Sequence, residues 1–159
     1  MTRTKEVERT AEGAALSELI LSIFRANGRL IRAGDVLTRD LGLTSARWQV
    51  LGAIAPAPKT VAQVAREFEL TRQGVLWVVQ SMIRDGFVEL IDNPDHRRAK
   101  LVRHTQDGKA IYDRISRRQK LWANRLGQSF DRVALEATVK TVRQLSEAII
   151  GITETFDEK

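Results

Sequence analysis

Residues 60–105 read TVAQVAREFELTRQGVLWVVQSMIRDGFVELIDNPDHRRAKLVRHT, and this stretch decides the predicted fold. Thr60 and Gln63 have the spacing of a capping box, and an apolar stripe at helical spacing follows them. Thr71 is placed to cap a second helix, and Gly86 stands where a C′ glycine ends one. Two short helices joined by a turn of a few residues have the spacing of a helix-turn-helix.

The residues after this glycine predict a β-hairpin. Residues 87–91 are apolar and bounded by turn formers, which is typical of a strand, and residues 99–104 predict a second strand. An Asp-Asn-Pro-Asp turn follows the first strand, and the hairpin tip carries His96, Arg97 and Arg98. A hairpin with a basic tip, directly after the second helix of a helix-turn-helix, indicates a wing.

Helices are predicted on both sides of this unit. In residues 14–37, apolar side chains recur at steps of three and four and therefore share one helical face. Thr44 is placed to cap a shorter helix that carries Trp48. After the wing, one helix is predicted over residues 106–128 and a last one starts after Asp131, which can cap it.

The last predicted helix carries an apolar row that is close to a heptad seam. The row consists of Leu135, Val139, Val142, Leu145, Ile149, Ile152 and Phe156. Long apolar stripes of this kind need a partner surface, and a two-fold related copy of the chain would supply it. The sequence therefore predicts a homodimer.

The predicted fold is mainly α with a small β-hairpin wing: a winged helix-turn-helix unit flanked by N- and C-terminal dimerisation helices. Residues 1–37 are the predicted N-terminal dimerisation helix, whose polar start we expect to fray. Residues 38–104 are the predicted DNA-binding domain, and residues 105–159 are the predicted C-terminal dimerisation helices.

The composition narrows the function classes. Of the 159 residues, 43% are hydrophobic and 29% are charged, which suits one globular domain of ordinary size. The formal net charge of +6 favours a polyanionic partner. The absence of cysteine excludes disulfides, a thiolate zinc site and a cysteine nucleophile. The polar N-terminus lacks the apolar core of a secretory signal, and no window suits a membrane span, so we expect a cytoplasmic protein without a membrane partner.

The chain offers little for catalysis or metal binding. His96 and His104 fall on a loop and at a strand end, without the spacing of metal ligands. The sequence contains no nucleophile elbow, phosphate-binding glycine loop or metalloprotease motif. We therefore expect no cofactor, no metal and no enzymatic activity.

The outer face of the second helix of the helix-turn-helix is the predicted DNA-reading surface. It lies away from the inward-facing Val75, Val79 and Met82, and it holds Arg72, Gln73, Trp77, Gln80 and Ser81. Glutamine pairs with adenine and arginine with guanine, and an indole can contact a thymine methyl group or stack on a sugar. At the wing tip, Arg97 and Arg98 have the size and charge that suit a narrow minor groove. The plainer interpretation of both sets is a solvated surface.

Several motifs together resemble the MarR (multiple antibiotic resistance regulator) family. Residues 95–102 are similar to the family's wing, an Asp-x-Arg followed by a small residue and an apolar strand. Residues 105–108 resemble the Thr-x-x-Gly that opens the next helix. Residues 43–51 resemble the family's second helix, and residues 70–88 resemble its recognition helix and exit. The order and spacing of these motifs carry the resemblance, which covers roughly residues 16–152.

This resemblance implies an obligate dimer that places one recognition helix per protomer in a major groove and one wing in the adjoining minor groove. It implies that Asp95 orients Arg97 rather than touching DNA. It also implies a repressor that a small aromatic or phenolic ligand releases. The chain departs from the family at Trp77, where a polar or basic residue is more usual, and at His104, where an apolar residue is usual. Leu76 and Gly74 add to the unusual composition of this helix.

A ligand cavity between the dimer layer and the winged unit is a further expectation. Its candidate lining residues are Asn27, Arg47, Trp48, Tyr112 and Trp122. Each aromatic residue in this set has the plainer interpretation of ordinary core.

The predicted function is sequence-specific binding of a pseudo-palindromic double-stranded DNA operator, as a repressor that a small aromatic ligand releases. One alternative is an effector-independent activator or architectural factor, which would lack an inducible pocket. Another alternative is a winged-helix module that binds proteins, against which the basic wing argues.

Overall fold

The computed structural model describes residues 8–157, and it describes side chains as far as residue 152. The fold is mainly helical with one antiparallel hairpin, as predicted. The elements are α1 (Ala11–Thr38), a single turn of 3-10 helix (Arg39–Leu41), α2 (Ser45–Ala53), α3 (Val61–Glu67), α4 (Arg72–Arg84), β1 (Val88–Ile91), β2 (Leu101–His104), α5 (Gln106–Gly127) and α6 (Arg132–Asp157). The predicted fraying before residue 8 and the side chain of Phe156 in the predicted seam lie outside the described part.

The caps predicted for the helix-turn-helix are present. The backbone N–H of Thr60 donates to Gln63 Oε1 over 2.7 Å, and the backbone N–H of Gln63 donates to Thr60 Oγ1 over 3.2 Å. This reciprocal pair is a capping box, and it starts α3. Thr71 Oγ1 accepts from the N–H of Gly74 over 3.1 Å and starts α4. Glu69, in the turn between the two helices, has a positive φ of 54°.

The exit from α4 sets the position of the wing. Gly86 has a φ of 76°, which is the left-handed conformation that glycine adopts at low cost. The N–H of Gly86 donates to the carbonyl of Ile83 over 3.1 Å, and the N–H of Phe87 donates to the carbonyl of Met82 over 2.9 Å. These bonds satisfy carbonyl groups at the helix end and turn the chain into β1.

Both strands are shorter than predicted. Phe87 uses its N–H to close α4, so the pairing starts at Val88, opposite His104. Ala99 donates its N–H to the carbonyl of His96 over 3.0 Å, which keeps it in the turn, and β2 starts at Leu101.

A β-bridge attaches the wing to the segment before α3, and no local pattern predicts it. The N–H of Val102 donates to the carbonyl of Lys59 over 2.8 Å, and the N–H of Lys59 donates to the carbonyl of Val102 over 3.3 Å. Val102 is fully buried, so this bridge fixes the second strand to the body of the helix-turn-helix.

The core joins α2, α3, α4, the hairpin and the first half of α5. Its fully buried side chains include Leu51, Met82, Val102 and Ile115. Trp48, Phe68 and Tyr112 are partly buried and pack against this cluster. The described chain divides into two compact units, one that ends at Ser116 and one that begins at Arg117.

Apolar side chains outside this core stay exposed in each unit taken by itself. On α1 of the first unit they include Leu16, Phe24, Leu30 and Ile31, and on α6 of the second unit they include Leu135, Val139, Ile149 and Ile152. None of the helices within residues 8–157 has the length and apolar character that a bilayer span requires.

Candidate nucleic-acid interface

The helix α4 presents the predicted reading face to solvent. Its inward side chains, Val75, Val79 and Met82, are almost completely buried, and this burial fixes the rotation of the helix. The exposed predicted residues are Arg72, Gln73, Trp77 and Gln80. The outward positions of α4 hold no carboxylate. The face therefore combines positive charge, amide groups and one exposed indole.

Ser81 differs from the other predicted DNA-binding residues. It is half-buried, and its hydroxyl donates to the carbonyl of Val78 over 2.7 Å. That bond uses the hydroxyl proton. While it persists, Ser81 can accept a hydrogen bond from DNA but cannot donate one.

Two charged residues that flank the wing loop in the sequence form an ion pair. Lys100 Nζ contacts Asp92 Oδ1, and this hydrogen bond and charge hold the pKa of Asp92 below its ordinary value. Within the loop, the N–H of His96 donates to the carbonyl of Asn93 over 3.3 Å. Arg97 and Arg98 stand exposed on this loop, as a groove contact requires.

Asp95 bonds to the turn and not to the arginine that it was expected to orient. Its N–H donates to Asn93 Oδ1 over 3.0 Å. Within the described residues, Asp95 and Arg97 form no ion pair, and both are exposed. The orienting role of Asp95 therefore stays a prediction for the DNA-bound chain.

A groove between α4 and the wing brings several predicted residues together. It has a volume of about 440 Å³, and none of the described residues that line it carries a carboxylate. From the predicted set it is lined by Arg72, Gln73, Gln80 and Arg98. Trp77, Ser81 and Arg97 do not line it.

Part of this groove was not predicted. Lys100, Thr60, Leu76 and Leu90 also line it. Lys100 was assigned to the second strand. Its position two residues after Arg98, on the same side of an extended chain, is the signal that could have identified it.

Four carboxylates of the first compact unit form ion pairs with cations. Ion pairs join Lys59 to Glu67, Arg47 to Asp85, Arg103 to Glu89 and Lys100 to Asp92. The Arg103 guanidinium approaches Glu89 Oε1 to 2.8 Å. Pairing of this kind lowers the repulsion that free carboxylates would exert on phosphate groups.

The residues predicted for a ligand cavity are in different surroundings. Arg47 Nη1 lies 2.7 Å from Asp85 Oδ2 and donates to the carbonyl of Gly42 over 3.1 Å. Trp48 packs against the core, and its ring lies beside Gly34 of α1. Tyr112 packs against the core with its ring centroid 5.5 Å from that of His104. Asn27 is exposed on α1, and Trp122 belongs to the second unit.

A separate apolar cavity of about 380 Å³ lies between α2, α3 and α4. It is lined by Val50, Val64, Phe68, Leu70, Val75 and Val78, among others, and by none of the residues that were predicted for a ligand pocket.

Comparison with known proteins agrees with this geometry. The profile of the MarR family matches residues 41–99, which span α2 to the wing loop. The uncharacterized protein Rv2011c of Mycobacterium tuberculosis is 36% identical over 134 residues, which are 84% of this chain and 94% of the relative.

Solved structures share the fold at lower identity. The crystal structure of the MarR family transcription regulator SP03579 has a TM-score of 0.77 at 21% identity, over 90% of this chain and 95% of that one. CouR from Rhodococcus jostii RHA1, solved with p-coumaroyl-CoA bound, has a TM-score of 0.73 at 19% identity, over 80% of this chain and 90% of that one. With the helix-turn-helix, the wing and the matched profile in one stretch, the chain belongs to the MarR family of winged-helix transcription regulators.

Proposed function

We propose that this chain is a homodimeric repressor that binds a pseudo-palindromic operator in double-stranded DNA and that a small aromatic ligand releases. The observation that carries the DNA-binding part is the groove between α4 and the wing, which arginine, lysine and amide side chains line without any carboxylate. Such a surface attracts the phosphate backbone and can donate to base edges.

The two sides of the groove suggest different tasks. The exposed α4 face, with Arg72, Gln73 and Gln80, has the groups that read base edges in the major groove. The wing, with Arg97 and Arg98, has the charge that suits the adjoining minor groove. Asp95 would orient Arg97 once the wing is bound, since among the described residues the two side chains form no ion pair without DNA.

The exposed apolar rows support a dimer. Val139 and Ile149 of α6 are 49% and 50% exposed in the single chain. Rows of this size are costly in water, and a second copy of the same row would cover them. With two copies, the half-sites of the operator should lie about one helical turn, or ~10 bp, apart.

Release by a ligand is proposed at the predicted residues Asn27, Arg47, Trp48, Tyr112 and Trp122. Structurally similar CouR holds an aromatic acyl-CoA, which supports an aromatic ligand class. The ion pair between Arg47 and Asp85 connects α2 to the C-terminal end of α4. A ligand that competes for the Arg47 guanidinium would disturb this connection, and it would weaken DNA binding if it prefers the disturbed state.

The DNA-binding proposal is tested by selecting bound DNA from a random duplex pool with the full chain. We expect enrichment of a two-fold symmetric site, bound at least about a thousand-fold tighter than scrambled DNA. Lack of enrichment, with a folded dimer, would reject the proposal and favour a module that binds proteins.

The ligand proposal is tested on the selected operator with p-coumarate and p-coumaroyl-CoA as probes. We expect weaker operator binding and quenching of tryptophan fluorescence. Since the chain has 3 tryptophans, the quenching is assigned with Trp48→Phe, Trp77→Phe and Trp122→Phe. It should fall in Trp48→Phe and in Trp122→Phe, and it should persist in Trp77→Phe. Unchanged operator binding by a bound probe would contradict release by this ligand class.

A further inference from the structure

Trp77 occupies the centre of the exposed face of α4. It lies two positions from both Val75 and Val79, which are 2% and 1% exposed, and two positions correspond to about 200° around a helix. The Trp77 side chain itself is 66% exposed. Core packing therefore does not explain why a tryptophan stands at this position. Its side chain points outward, on the predicted DNA-reading surface.

The neighbours of Trp77 are suited to nucleic acid. Gln73 and Gln80 lie one turn before and after it on the same face, and Arg84 follows Gln80 by four positions. All three are exposed, and this face carries no acidic residue. Within the described part of the chain, no side-chain hydrogen bond or ring contact engages the Trp77 indole, so it is free to meet a ligand.

The chemistry of the major groove limits what an indole can read there. Base edges present hydrogen-bond donors and acceptors, and the C5 methyl group of thymine is the apolar group among them. The flanking glutamines pair best with adenine, through its N6 and N7 atoms. An indole between two amides thus matches a run of A·T pairs, which presents thymine methyl groups beside adenine edges.

We propose that Trp77 determines specificity by packing on the C5 methyl group of one thymine in each operator half-site. This inference rests on the proposed DNA-binding function and adds the group that is read. The inference predicts a thymine at the centre of each half-site, with flanking A·T pairs that Gln73 and Gln80 read.

The test replaces each thymine of the selected operator, one at a time, by deoxyuridine. Deoxyuridine pairs with adenine as thymidine does, and it differs from thymidine only in lacking the C5 methyl group. The replacement therefore isolates the apolar contact. At one position in each half-site we expect the dissociation constant to rise about four-fold, which is the factor that burial of one methyl group supplies. Replacing that T·A pair by C·G should weaken binding, and 5-methylcytosine at the same position should restore part of the loss.

The protein side of the test compares Trp77→Gln with Trp77→Phe and Gln80→Ala. With Trp77→Gln, thymine and deoxyuridine at the identified position should bind equally. Trp77→Phe should keep part of the preference for thymine, and Gln80→Ala should lower affinity while keeping the preference. Circular dichroism and sedimentation confirm that each variant has the fold and assembly of the parent.

Two results would overturn the inference while the proposed function survives. One is tight operator binding with no position sensitive to deoxyuridine. The other is the same sensitivity in Trp77→Gln as in the parent chain. Failure of the parent chain to enrich any DNA would reject the proposed function and this inference with it.

Discussion

His104 Nε2 lies 2.9 Å from the backbone carbonyl oxygen of Leu51, so the last residue of the wing is bonded to the core helix α2. A carbonyl oxygen accepts hydrogen bonds and cannot donate one, so Nε2 carries the proton in this contact. The imidazole is half-buried and its ring lies beside that of Tyr112. The residue that departs from the family pattern therefore ties the base of the wing to the body of the helix-turn-helix.

This contact predicts a pH dependence of stability. Burial lowers the pKa of His104 below its ordinary value of 6.5, against smaller opposing effects of the Leu51 bond and Asp113, while Lys109 lowers it further. Below pH 6.5 the unfolded chain therefore binds this proton before the folded chain does, and the free energy of unfolding falls as the pH decreases through the folded pKa. We expect chemical denaturation of the parent chain to show this loss as the pH is lowered from neutral to below 6.5.

His104→Gln keeps an N–H donor toward the Leu51 carbonyl and removes the titrating imidazole. The stability of this variant should therefore change less over the same pH interval. His96→Gln, which removes the exposed histidine of the wing loop, is the matched control. An equal pH response in the parent chain and His104→Gln would contradict the prediction.

Gly108 predicts a steric limit at the start of α5. A Cβ atom there would lie 1.8 Å from the carbonyl oxygen of Phe87 and 2.8 Å from its carbonyl carbon. Both are backbone atoms, and the same oxygen accepts from the N–H of Thr105 over 3.2 Å. We expect Gly108→Ala to lower the free energy of unfolding by about 1–3 kcal/mol or more, because the backbone must move.

The control for Gly108→Ala lies in the same helix. A Cβ atom at Gly127, the last residue of α5, meets nothing within 4 Å, so Gly127→Ala should change stability by less than about 0.5 kcal/mol. Equal melting temperatures for both variants would argue against the close approach of α5 to Phe87.

Local signals predicted the helix-turn-helix and its caps, because a cap involves residues three positions apart. Thr60 with Gln63, and Gly86 after α4, are patterns of this kind, and the structure has both. The buried stripe of α4 was likewise predicted, since helical periodicity fixes which residues share a face.

Contacts between distant residues were not predicted. His104 bonds to Leu51 across 53 residues, and Lys59 bridges to Val102. Such pairs leave no periodic trace in the sequence, because each partner looks like an ordinary polar or strand residue locally. For the same reason the ion pair of Arg47 with Asp85 was not predicted.

The ion pair of Arg47 with Asp85 predicts a measurable coupling between α2 and α4. The two side chains are 20% and 44% exposed, so solvent screens the pair in part. We expect a double-mutant cycle with Arg47→Met and Asp85→Asn to give a coupling of about 0.5–1 kcal/mol in urea denaturation. Lys109→Met, which breaks the more exposed pair with Asp113, should cost less than about 0.5 kcal/mol. A coupling near zero would mean that the pair does not stabilise the junction.

The exposed row of α6 predicts the assembly state. Val139→Asp places a charge within the predicted seam, and burying an unpaired charge at an interface is costly. We expect the parent chain to sediment as a dimer at micromolar concentration and Val139→Asp to shift toward monomer. Gln144→Asp adds the same charge about 140° around the helix and should leave the dimer intact. A stable monomer of the parent chain would contradict the seam.

The exposed Arg97 gives the prediction that tests the wing itself. Its guanidinium stays charged at any relevant pH and can lie flat in a narrow groove. We expect Arg97→Ala to lose about 1–3 kcal/mol of affinity for the selected operator, measured by fluorescence anisotropy, with fold and dimer unchanged. A minor-groove contact predicts the largest loss on operators with A·T-rich flanks. A loss that is equal on all sequences, with a shallower salt dependence, would instead indicate a phosphate contact.

Two further variants complete this test. Arg103→Ala removes a cation on β2 that already pairs with Glu89, so it should lower affinity less than Arg97→Ala does. Asp95→Asn removes the proposed orienting charge and also a repulsion of phosphate, so its effect should be smaller than that of Arg97→Ala. If Arg97→Ala binds operator as tightly as the parent chain near physiological salt, the wing does not contact DNA through this residue. The α4 face, with Trp77 at its centre, would then have to account for the specificity.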